Sequence, residues 1–431
     1  MQFQTIGLTC LLLLSGISPV QAAEPKAAET FRGLDLTRDW PWWRGPTHDG
    51  IAAPGQDPPL TWSDSQNLAW SVPVTGRSHG SPTVVGDQVV LAVADPEKQI
   101  QAVQSFDRLT GKMQWSKEIH NGGFDQKENK KSSLASISVA GDGERFYVSF
   151  LHAGAVYATC LTREGQQLWQ KKVCDFINHQ GYGASPFLYR ALVIVAADNK
   201  GGGAIEAFDR RTGESAWRIE RPKLPNYTSP VVYQIAGRDQ LLFTGCDVVS
   251  SFDPLTGKTL WETAGATTEC VTSVVTDGER VFTSGGYPKN HVSAVLADGS
   301  GKLVWEAKSR VYVPSMIVRG KHLYGIQDAG VATCWKSDTG EEVWKERIAG
   351  GFSSSPVLVG DLLMATNEVG HTYVFKASDK EFLLIGENQL GDETFSTPTV
   401  CGSRIYHRYA KLMDGKRQEF LACIAKPGSG K

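Results

Sequence analysis

Hydrophobic and polar positions alternate along this chain in short runs that recur at a regular interval. Each unit begins with an apolar run marked by Ser-Pro or Thr-Pro, as in "GSPTVV", "TSPVVY", "SSPVLV" and "STPTV". A turn containing Gly or Asp follows, and then further runs such as "RFYVSF" and "AIEAF". Alternation with a period of two is typical of half-buried strands, and Asp-Gly pairs are typical of hairpin turns. The pattern predicts units of four antiparallel strands, of which the fourth is short and ends in Trp.

The Trp of the fourth strand gives the length of the repeat. It recurs every 39 to 54 residues, and Leu384 takes its place in the last interval. Repeats of this length, each with four strands, are typical of β-propeller blades. The tryptophans are Trp70, Trp115, Trp169, Trp217, Trp261, Trp305 and Trp344.

The two ends of the chain predict the number of blades. The last unit, which starts at "FSTPTV", has three strands and lacks the fourth, whereas a strand ending at Trp70 precedes the first complete unit. We therefore expect an all-β, eight-bladed propeller in which the strand from Thr61 to Trp70 pairs with the strand from Phe420 to Ala425. Closure of this kind leaves only short, protected strand edges.

One phrase is repeated almost unchanged, as "FDRLTGKMQW", "FDRRTGESAW" and "FDPLTGKTLW". Its Asp can accept backbone N–H groups of a tight turn, its Gly can adopt a left-handed conformation, and its Trp can wedge between blades. Because a catalytic residue would appear once rather than in every blade, we interpret the phrase as a structural staple. The staple residues are Asp107, Gly111, Trp115, Asp209, Gly213, Trp217, Asp253, Gly257, Trp261, Trp305 and Trp344.

The N-terminal residues are typical of an export signal. An apolar run from Leu8 to Leu14 is followed by Val20-Gln21-Ala22, which fits a small-residue cleavage site. We predict a signal peptide over residues 1–22, a leader packing on the propeller over 23–60, and the propeller over 61–431. The protein is then exported to the periplasm or the exterior, with no transmembrane segment in its mature chain.

Charge gives no reason to expect nucleic acid as a partner. The 431 residues carry a formal net charge of -2, and such a balance does not attract polyanions or anionic membranes. We expect a monomer whose partner is a protein or a glycan of the cell envelope.

The D-x-x-T-G-x-x-x-W phrase, with Ser-Pro opening the inner strands, closely resembles the repeat of pyrroloquinoline-quinone (PQQ) enzymes. This resemblance implies an eight-bladed PQQ-like propeller over nearly the whole mature chain. The family has two groups, the quinoprotein alcohol dehydrogenases and binding propellers without a cofactor such as the outer-membrane assembly lipoprotein BamB.

The features that the dehydrogenase resemblance implies are missing from the sequence. Those enzymes use a disulfide between adjacent cysteines, a Trp against the quinone, and a calcium ion held by Glu, Asn and Asp. No Cys-Cys pair, clear calcium-ligand cluster or C-x-x-C-H motif occurs here. We therefore expect no cofactor and no metal, and predict a non-catalytic binding or scaffold protein.

Two enzymatic alternatives stay open. The first is a PQQ- and Ca²⁺-dependent dehydrogenase that oxidises an alcohol or polymer hydroxyl with an atypical site. The second, a polysaccharide-active enzyme, requires paired carboxylates facing one cleft, which sequence spacing cannot reveal.

Loops that enter the inner strands should ring one mouth of the channel, and several carry an aromatic residue. These rings can simply pack loop against strand, or they can line a shallow site for a sugar, a peptide or a planar ligand. The ligand-binding candidates are Arg77, His79, Asn178, His179, Tyr182, Asn226, Tyr227, Glu269, Arg310, Tyr312, Phe352 and Phe395.

The cysteines divide into two sets. Cys160, Cys334 and Cys423 precede the position of the repeated phrase and are predicted to be small core residues. Cys246 and Cys270 should lie on the same mouth face, which makes them a candidate disulfide in an oxidising compartment.

Overall fold

The computed structural model describes residue 1 and residues 31–124, 129 and 131–428. In this part of the chain there are 32 strands and no helix, and therefore no helix long and apolar enough to cross a membrane. The strands form eight four-stranded antiparallel sheets, which are the blades of a propeller. The predicted fold is confirmed. The predicted signal peptide lies outside the described residues, apart from Met1.

The chain enters the propeller through β1 (Leu68–Val74), which belongs to the last blade. Blades 1 to 4 follow in chain order, each from its inner to its outer strand. They comprise β2 (Thr83–Val85), β3 (Gln88–Asp95), β4 (Ile100–Asp107) and β5 (Met113–Asn121); β6 (Ala140–Gly141), β7 (Arg145–His152), β8 (Ala155–Thr162) and β9 (Gln167–Asp175); β10 (Phe187–Tyr189), β11 (Leu192–Ala196), β12 (Ala204–Asp209) and β13 (Ser215–Glu220); and β14 (Val231–Ile235), β15 (Arg238–Gly245), β16 (Val248–Phe252) and β17 (Thr259–Ala264).

Blades 5 to 8 complete the circle. They comprise β18 (Val275–Thr276), β19 (Arg280–Gly285), β20 (His291–Leu296) and β21 (Leu303–Ala307); β22 (Ile317–Arg319), β23 (His322–Gln327), β24 (Val331–Lys336) and β25 (Glu342–Arg347); β26 (Val357–Val359), β27 (Leu362–Thr366), β28 (His371–Lys376) and β29 (Leu384–Gln389); and β30 (Thr399–Cys401), β31 (Arg404–Met413) and β32 (Lys416–Ile424), which β1 completes.

Pairing of β1 with β32 closes the propeller, but the first strand is displaced from its predicted position. The register runs from Leu68 opposite Ile424 to Val74 opposite Glu419, with a bulge between Leu68 and Trp70. The strand therefore continues past Trp70, and residues 61–67 are not part of it. The outer strands of other blades also continue beyond their Trp. The added residues are mostly polar and alternate in exposure, so hydrophobicity in the sequence does not show that the edge strand continues.

The repeated phrase lies where neighbouring blades meet. Trp217 of blade 3 packs against Gly257 of blade 4, where an added Cβ would lie 2.8 Å from the indole ring. The indole Nε1 donates a hydrogen bond of 3.1 Å to the carbonyl oxygen of Pro254 in the same turn. Equivalent ring-on-glycine contacts are Trp70 on Gly111, Trp115 on Gly165, Trp169 on Gly213 and Trp305 on Gly340.

The aspartate of the phrase organises its own turn. Asp209 Oδ1 accepts the backbone N–H groups of Arg211 and Thr212, both at 2.9 Å. Asp107 and Asp253 bond their turns in the same way. The phrase thus shapes a turn that presents glycine to the Trp of the preceding blade.

The leader from Phe31 onward packs across the propeller. Trp40 exchanges two backbone hydrogen bonds of 2.9 Å with Val84 at the inner strand of blade 1. Ile51 forms a bridge with Leu358 in blade 7. The leader therefore crosses the propeller axis on the face where the inner strands end. The loops that enter the inner strands lie on the opposite face.

We expect Gly257→Ala to be more destabilising than Gly237→Ala. Both glycines have a positive φ, +69° and +77°, so both variants carry the same backbone penalty. Nothing lies within 4 Å of an added Cβ at Gly237, whereas Gly257 faces the Trp217 ring. Overpacking should cost Gly257→Ala a further 1–3 kcal/mol, roughly, in urea denaturation. Equal losses would show that the ring contact does not hold the blades together.

Candidate functional site at the open mouth of the channel

The axis of the propeller carries one hydroxyl side chain from each blade. Hydrogen bonds join these residues from each blade to the next. At seven of the eight blade junctions among the described residues, the backbone N–H of one such residue donates to the hydroxyl oxygen of the corresponding residue in the next blade, at 2.9 to 3.1 Å. One of these bonds, from Thr397 to Ser81, joins the last blade to the first. We call these residues the hydroxyl ring: Ser81, Ser138, Ser185, Ser229, Ser273, Ser315, Ser355 and Thr397.

The leader closes one end of the channel. The eighth ring oxygen, that of Ser273, accepts a hydrogen bond of 2.9 Å from the indole Nε1 of Trp43. Trp43 also lines the narrow chamber of about 160 Å³ that lies along the ring. The channel is therefore blind, and the loops entering the inner strands surround its open mouth.

The open mouth contains a cavity of about 630 Å³. Its wall combines aromatic rings with charged groups of both signs, and it is contributed mainly by blades 2 to 6. The lining includes Tyr182, Tyr227, Tyr287, Tyr312, His179, Glu269, Arg310, Asp328 and Lys131.

Glu269 is the centre of a polar cluster in this wall. Its side chain is 8% exposed, and its Oε1 lies 3.3 Å from the Nε2 of His179. Its Oε2 accepts a hydrogen bond of 3.3 Å from the Tyr312 hydroxyl, and the Arg310 guanidinium lies 5.2 Å from the centre of the Tyr312 ring. Four side chains from three blades thus hold one another in place.

Asp328 fixes the same loop from the other side. Its Oδ2 accepts the backbone N–H of Tyr312 at 2.8 Å. Burial raises the pKa of the Asp328 carboxyl above its ordinary value. The position of Tyr312 is therefore set through both its backbone and its hydroxyl.

Tyr227 differs from the other mouth tyrosines because its hydroxyl is buried without a hydrogen-bond partner among the described residues. Burial, and then the nearby Glu269 charge, raise the pKa of this phenol, so it stays protonated at neutral pH. A buried hydroxyl without a partner is costly. Tyr227 lines the cavity and the chamber with its ring, while its hydroxyl is enclosed by protein.

The opposite wall of the chamber is formed by His79 and Phe395, whose rings stack at 4.3 Å. Burial holds the pKa of His79 well below its usual range, so the imidazole is neutral at pH 7. Lys131, at the rim, forms an ion pair of 2.7 Å with Glu368.

The structure brings eight of the twelve predicted ligand-binding residues to the mouth cavity or the chamber. They are His79, His179, Tyr182, Tyr227, Glu269, Arg310, Tyr312 and Phe395. Asn178 borders a smaller gap beside Tyr182, and Arg77 donates to the carbonyl oxygen of Ser132.

Two predicted ligand-binding residues are buried and do not line the cavity. Phe352 is 1% exposed and packs against Tyr373 in blade 7. Asn226 is 5% exposed, and its amide is committed to Asp198, to the carbonyl oxygen of Thr244 and to the N–H of Cys270. Their loops reach the mouth face as predicted, but both side chains turn inward to brace the loops.

Sequence reasoning missed three kinds of residue at this site. Asp328 and Tyr287 lie in hairpins between the second and third strands, whereas the prediction covered only loops that enter the inner strands. Five residues of the hydroxyl ring precede a proline in the sequence, and this repeated Ser-Pro or Thr-Pro pair predicts a strand but not a ring of hydroxyl groups. Trp43 lies in the leader, outside the repeat.

The candidate disulfide between Cys246 and Cys270 is not formed. Cys246 Sγ lies 3.6 Å from Asp198 Oδ2, whereas Cys270 Sγ lies 3.3 Å from Thr267 Oγ1. Both thiols are buried and free. The backbones are neighbours, as expected, but the side chains point to different partners. Cys160, Cys334 and Cys423 are fully buried, as predicted.

A family model described as outer membrane protein assembly factor BamB matches residues 49–173, 99–346 and 288–383. The chain belongs to this BamB family. The structure is similar to BamB from Moraxella catarrhalis, with a TM-score of 0.59 and 13% identity, covering 82% of this chain and 99% of that one. No curated protein sequence matches the chain.

The same fold occurs in enzymes. A quinohemoprotein alcohol dehydrogenase from Comamonas testosteroni has a TM-score of 0.67 and 13% identity, covering 93% of this chain and 82% of that one. A europium-containing methanol dehydrogenase has a TM-score of 0.65 and 11% identity, covering 90% and 98%. Likeness at this identity shows the BamB-type propeller fold and does not transfer an activity.

For this BamB-family chain we expect no quinone held with calcium. Among the described residues, no three His, Cys, Asp or Glu side chains converge as metal ligands. The seven described cysteines are free, and no carboxylate lines the chamber at the hydroxyl ring. The expectation of no cofactor stays a prediction.

We predict that Cys246 and Cys270 are recovered as free thiols. Since the two side chains are 6% and 0% exposed, the folded protein should resist thiol reagents at both positions. Alkylation in denaturant without a reductant, followed by peptide mapping, should label both. A peptide pair linked by these residues would contradict the structure.

Acid should destabilise the protein through its buried histidines. His407 is 2% exposed, neither of its ring nitrogens has a partner among the described residues, and burial lowers its pKa to about 4. The unfolded pKa is about 6.5, so the folded state binds fewer protons. The contribution of neutral His407 to the free energy of unfolding is then complete above pH ~6.5 and is lost as the pH falls towards ~4.

The variant His407→Leu should remove part of this loss. The difference between the folded and unfolded pKa values of His407 corresponds to a loss of about 3 kcal/mol in the free energy of unfolding at pH 4. At pH 7 the variant should be nearly neutral, because it removes unpartnered polar atoms. Urea denaturation at pH 7 and pH 4.5 measures both effects, with His322→Leu at the start of β23 as control. Equal acid losses in the two variants would refute the assignment.

Proposed function

We propose that this chain is an exported binding propeller that holds a protein or glycan segment of the cell envelope at its open mouth and acts as a scaffold, without catalysis. The observation that carries the proposal is the cavity of about 630 Å³ at the open mouth, whose wall combines tyrosine rings with charged side chains. Ligand sites commonly measure roughly 300–1,000 Å³ and combine aromatic walls with a few polar groups.

The wall chemistry supports recognition of a polar chain. Tyr227, Tyr287 and Tyr312 offer ring faces, while Glu269 and Arg310 can orient hydroxyl or amide groups. Because these residues come from different blades and none is repeated, the cavity is asymmetric. An asymmetric cavity suits a single ligand in a single orientation.

Proton chemistry supports binding more than catalysis. Burial raises the pKa values of Tyr227 and Tyr312, which makes both phenols poor bases at neutral pH. Glu269 is occupied by His179 and Tyr312, and Asp328 holds a backbone N–H. A polysaccharide-cleaving enzyme would need two carboxylates in this cavity. The two present, Glu269 and Asp328, are engaged in contacts that hold the cavity wall.

Family membership also supports this proposal, since the matched model describes an assembly factor. Export, and residence in the periplasm or outside the cell as a monomer, are parts of the proposal that follow from the predicted signal peptide. The alternative is a quinone-dependent dehydrogenase with an atypical site. Dye-linked alcohol oxidation after addition of PQQ and Ca²⁺ distinguishes the two, since stoichiometric quinone binding with turnover would overturn the scaffold proposal.

We expect Tyr227→Ala to weaken ligand binding with little change in melting temperature. The change removes an aromatic face from the cavity wall. Immobilised protein is exposed to native envelope extract, untreated, protease-treated or periodate-treated, and the retained material is quantified. Protease sensitivity identifies a protein ligand and periodate sensitivity a glycan.

The matched control is Tyr157→Ala, whose ring packs against His120 and His152 in blade 2 and does not line the cavity. This control should retain ligand binding. If Tyr227→Ala and Tyr157→Ala retain the same amount as the wild type, the mouth cavity is not the binding site.

A further inference from the structure

A second ring of residues lies on the mouth side of the hydroxyl ring. Each member stands two positions before a hydroxyl-ring residue, and all eight line the chamber of about 160 Å³. Side chains two positions apart on an extended chain lie on the same face, so both rings face the axis. We call this second ring the collar. Its large members are His79, Tyr227 and Phe395. Its small members are Ser136, Gly183, Val271, Val313 and Ser353.

The collar separates the chamber from the mouth cavity, and five of its members line both spaces. These five come from blades 2 to 6, and four of them are small. On the other side of the axis, His79 of blade 1 and Phe395 of blade 8 stack at 4.3 Å. The chamber therefore communicates with the mouth cavity along the side of the collar that carries the small residues.

Gly183 leaves a gap in the collar. Nothing lies within 4 Å of a Cβ added at this position, and the φ of Gly183 is not positive. Neither the backbone conformation nor the packing therefore requires glycine here. A larger side chain would project into the space that the cavity and the chamber share. The lack of a side chain at Gly183 thus keeps a passage open between the two.

The polar groups of the chamber match a ligand that both donates and accepts hydrogen bonds. Six ring hydroxyls line it, and each accepts one hydrogen bond from a backbone N–H. A hydroxyl has one hydrogen and two lone pairs, so each retains one donor and one acceptor. The hydroxyl groups of a ligand have the same two capacities, whereas an ion would use only one of them.

The lining of the chamber favours an uncharged ligand. Among the described residues that line it, Lys131 is the only charged one, and its Nζ is paired with Glu368 at 2.7 Å. His79 is neutral, because burial holds its pKa well below the usual range. An ion in the chamber would thus lack a compensating charge, and an uncompensated buried ion is costly.

Trp43 closes the chamber with an aromatic ring. Its indole Nε1 is bonded to Ser273, so the ring is the part that can contact a ligand. An aromatic surface beside hydroxyl groups suits a molecule with an apolar face and a hydroxyl-rich edge. A water needs roughly 10–15 Å³ of volume measured in this way, so about 160 Å³ holds roughly ten such volumes. This space suits one sugar ring with its hydroxyl groups.

We infer that the chamber binds one neutral sugar residue, which enters from the mouth cavity through the gap at Gly183 and lies over Trp43. This inference rests on the proposed function and narrows its ligand to a glycan. The collar selects the sugar residue by width, the hydroxyl ring bonds its hydroxyl groups, and the mouth cavity holds the rest of the glycan. A peptide side chain would leave most of the ring hydroxyls without partners, because it carries a single polar group.

Gly183→Leu tests the passage, and Trp43→Leu tests the closed end of the chamber. Leucine fills the gap at Gly183, whereas at Trp43 it keeps an apolar side chain without the aromatic ring. The matched control is Gly386→Leu in β29, at the outer rim. Gly386 also lacks a positive φ, and an added Cβ would meet only the carbonyl oxygen of Leu60, at 3.6 Å. Circular dichroism and thermal melting establish which variants are folded.

Titration calorimetry measures the binding of neutral trisaccharides to each protein. The probes are maltotriose, cellotriose, mannotriose, galactotriose, xylotriose and triacetylchitotriose, with trigalacturonate as a charged sugar and triserine as a peptide. We expect at least one neutral trisaccharide to bind saturably to the wild type and to Gly386→Leu. Its affinity should be lower by about tenfold or more in Gly183→Leu and Trp43→Leu, as for the loss of an aromatic contact.

The inference is overturned if no neutral trisaccharide binds saturably, or if trigalacturonate or triserine binds as tightly as the best of them. It is also overturned if Gly183→Leu or Trp43→Leu, when folded, binds that trisaccharide as tightly as Gly386→Leu does. Should either variant fail to fold, wild-type crystals soaked with the tightest-binding trisaccharide decide instead. Density for a sugar ring in the chamber supports the site, and a chamber containing only water refutes it.

This inference and the proposed function fail in different ways. Suppose that the wild type retains envelope material and Tyr227→Ala does not, while Gly183→Leu and Trp43→Leu retain it in full. The mouth cavity is then the binding site, and the chamber inference fails. If instead the wild type retains no envelope material, but a neutral trisaccharide binds with the expected losses, the chamber site stands and the scaffold proposal fails.

Discussion

Closure of eight sheets into one circle is the constraint on which the rest of this structure depends. Any interface between two blades must be compatible with seven others, so the same contacts recur. At the axis, a backbone N–H of one blade meets the hydroxyl of the next, and Thr397 closes this ring onto Ser81. At the rim, an indole packs onto the glycine of the following blade. Pairing of β1 with β32 then makes the last blade depend on both ends of the described propeller.

This constraint also explains where the chemistry lies. Interfaces fix the strands and the repeated turns, whereas the loops that enter the inner strands are free to differ. Blade 4 can thus present Tyr227, and the following loops Glu269 and Tyr312, without disturbing any blade contact. The leader closes the other end through Trp43, so these differences surround the open mouth of a blind channel.

The fold could be predicted from sequence because the residues of the repeat shape the turn in which they lie. Asp209 and Gly213 act within their own turn, and their spacing to Trp217 is repeated in the other copies of the phrase. The site could be predicted only in part. Loop position follows from the repeat, but side-chain direction does not, which is why Phe352 and Asn226 face inward and the two cysteines do not join. Arg44 and Trp43 carry no repeat signal, so their place under the axis required the folded structure.

The leader links the stability of the propeller to the chemistry of its channel. Trp43 closes the chamber with an indole that donates to the ring, and Arg44 adds a positive charge held by backbone carbonyl groups. The repeat alone would build an open, neutral tube of hydroxyl groups. A segment outside the repeat closes one end of this tube and makes the chamber blind. The dehydrogenases with similar structures share the propeller fold. In this chain the closed end of the channel depends on residues outside the repeat, so its function has to be argued from those residues.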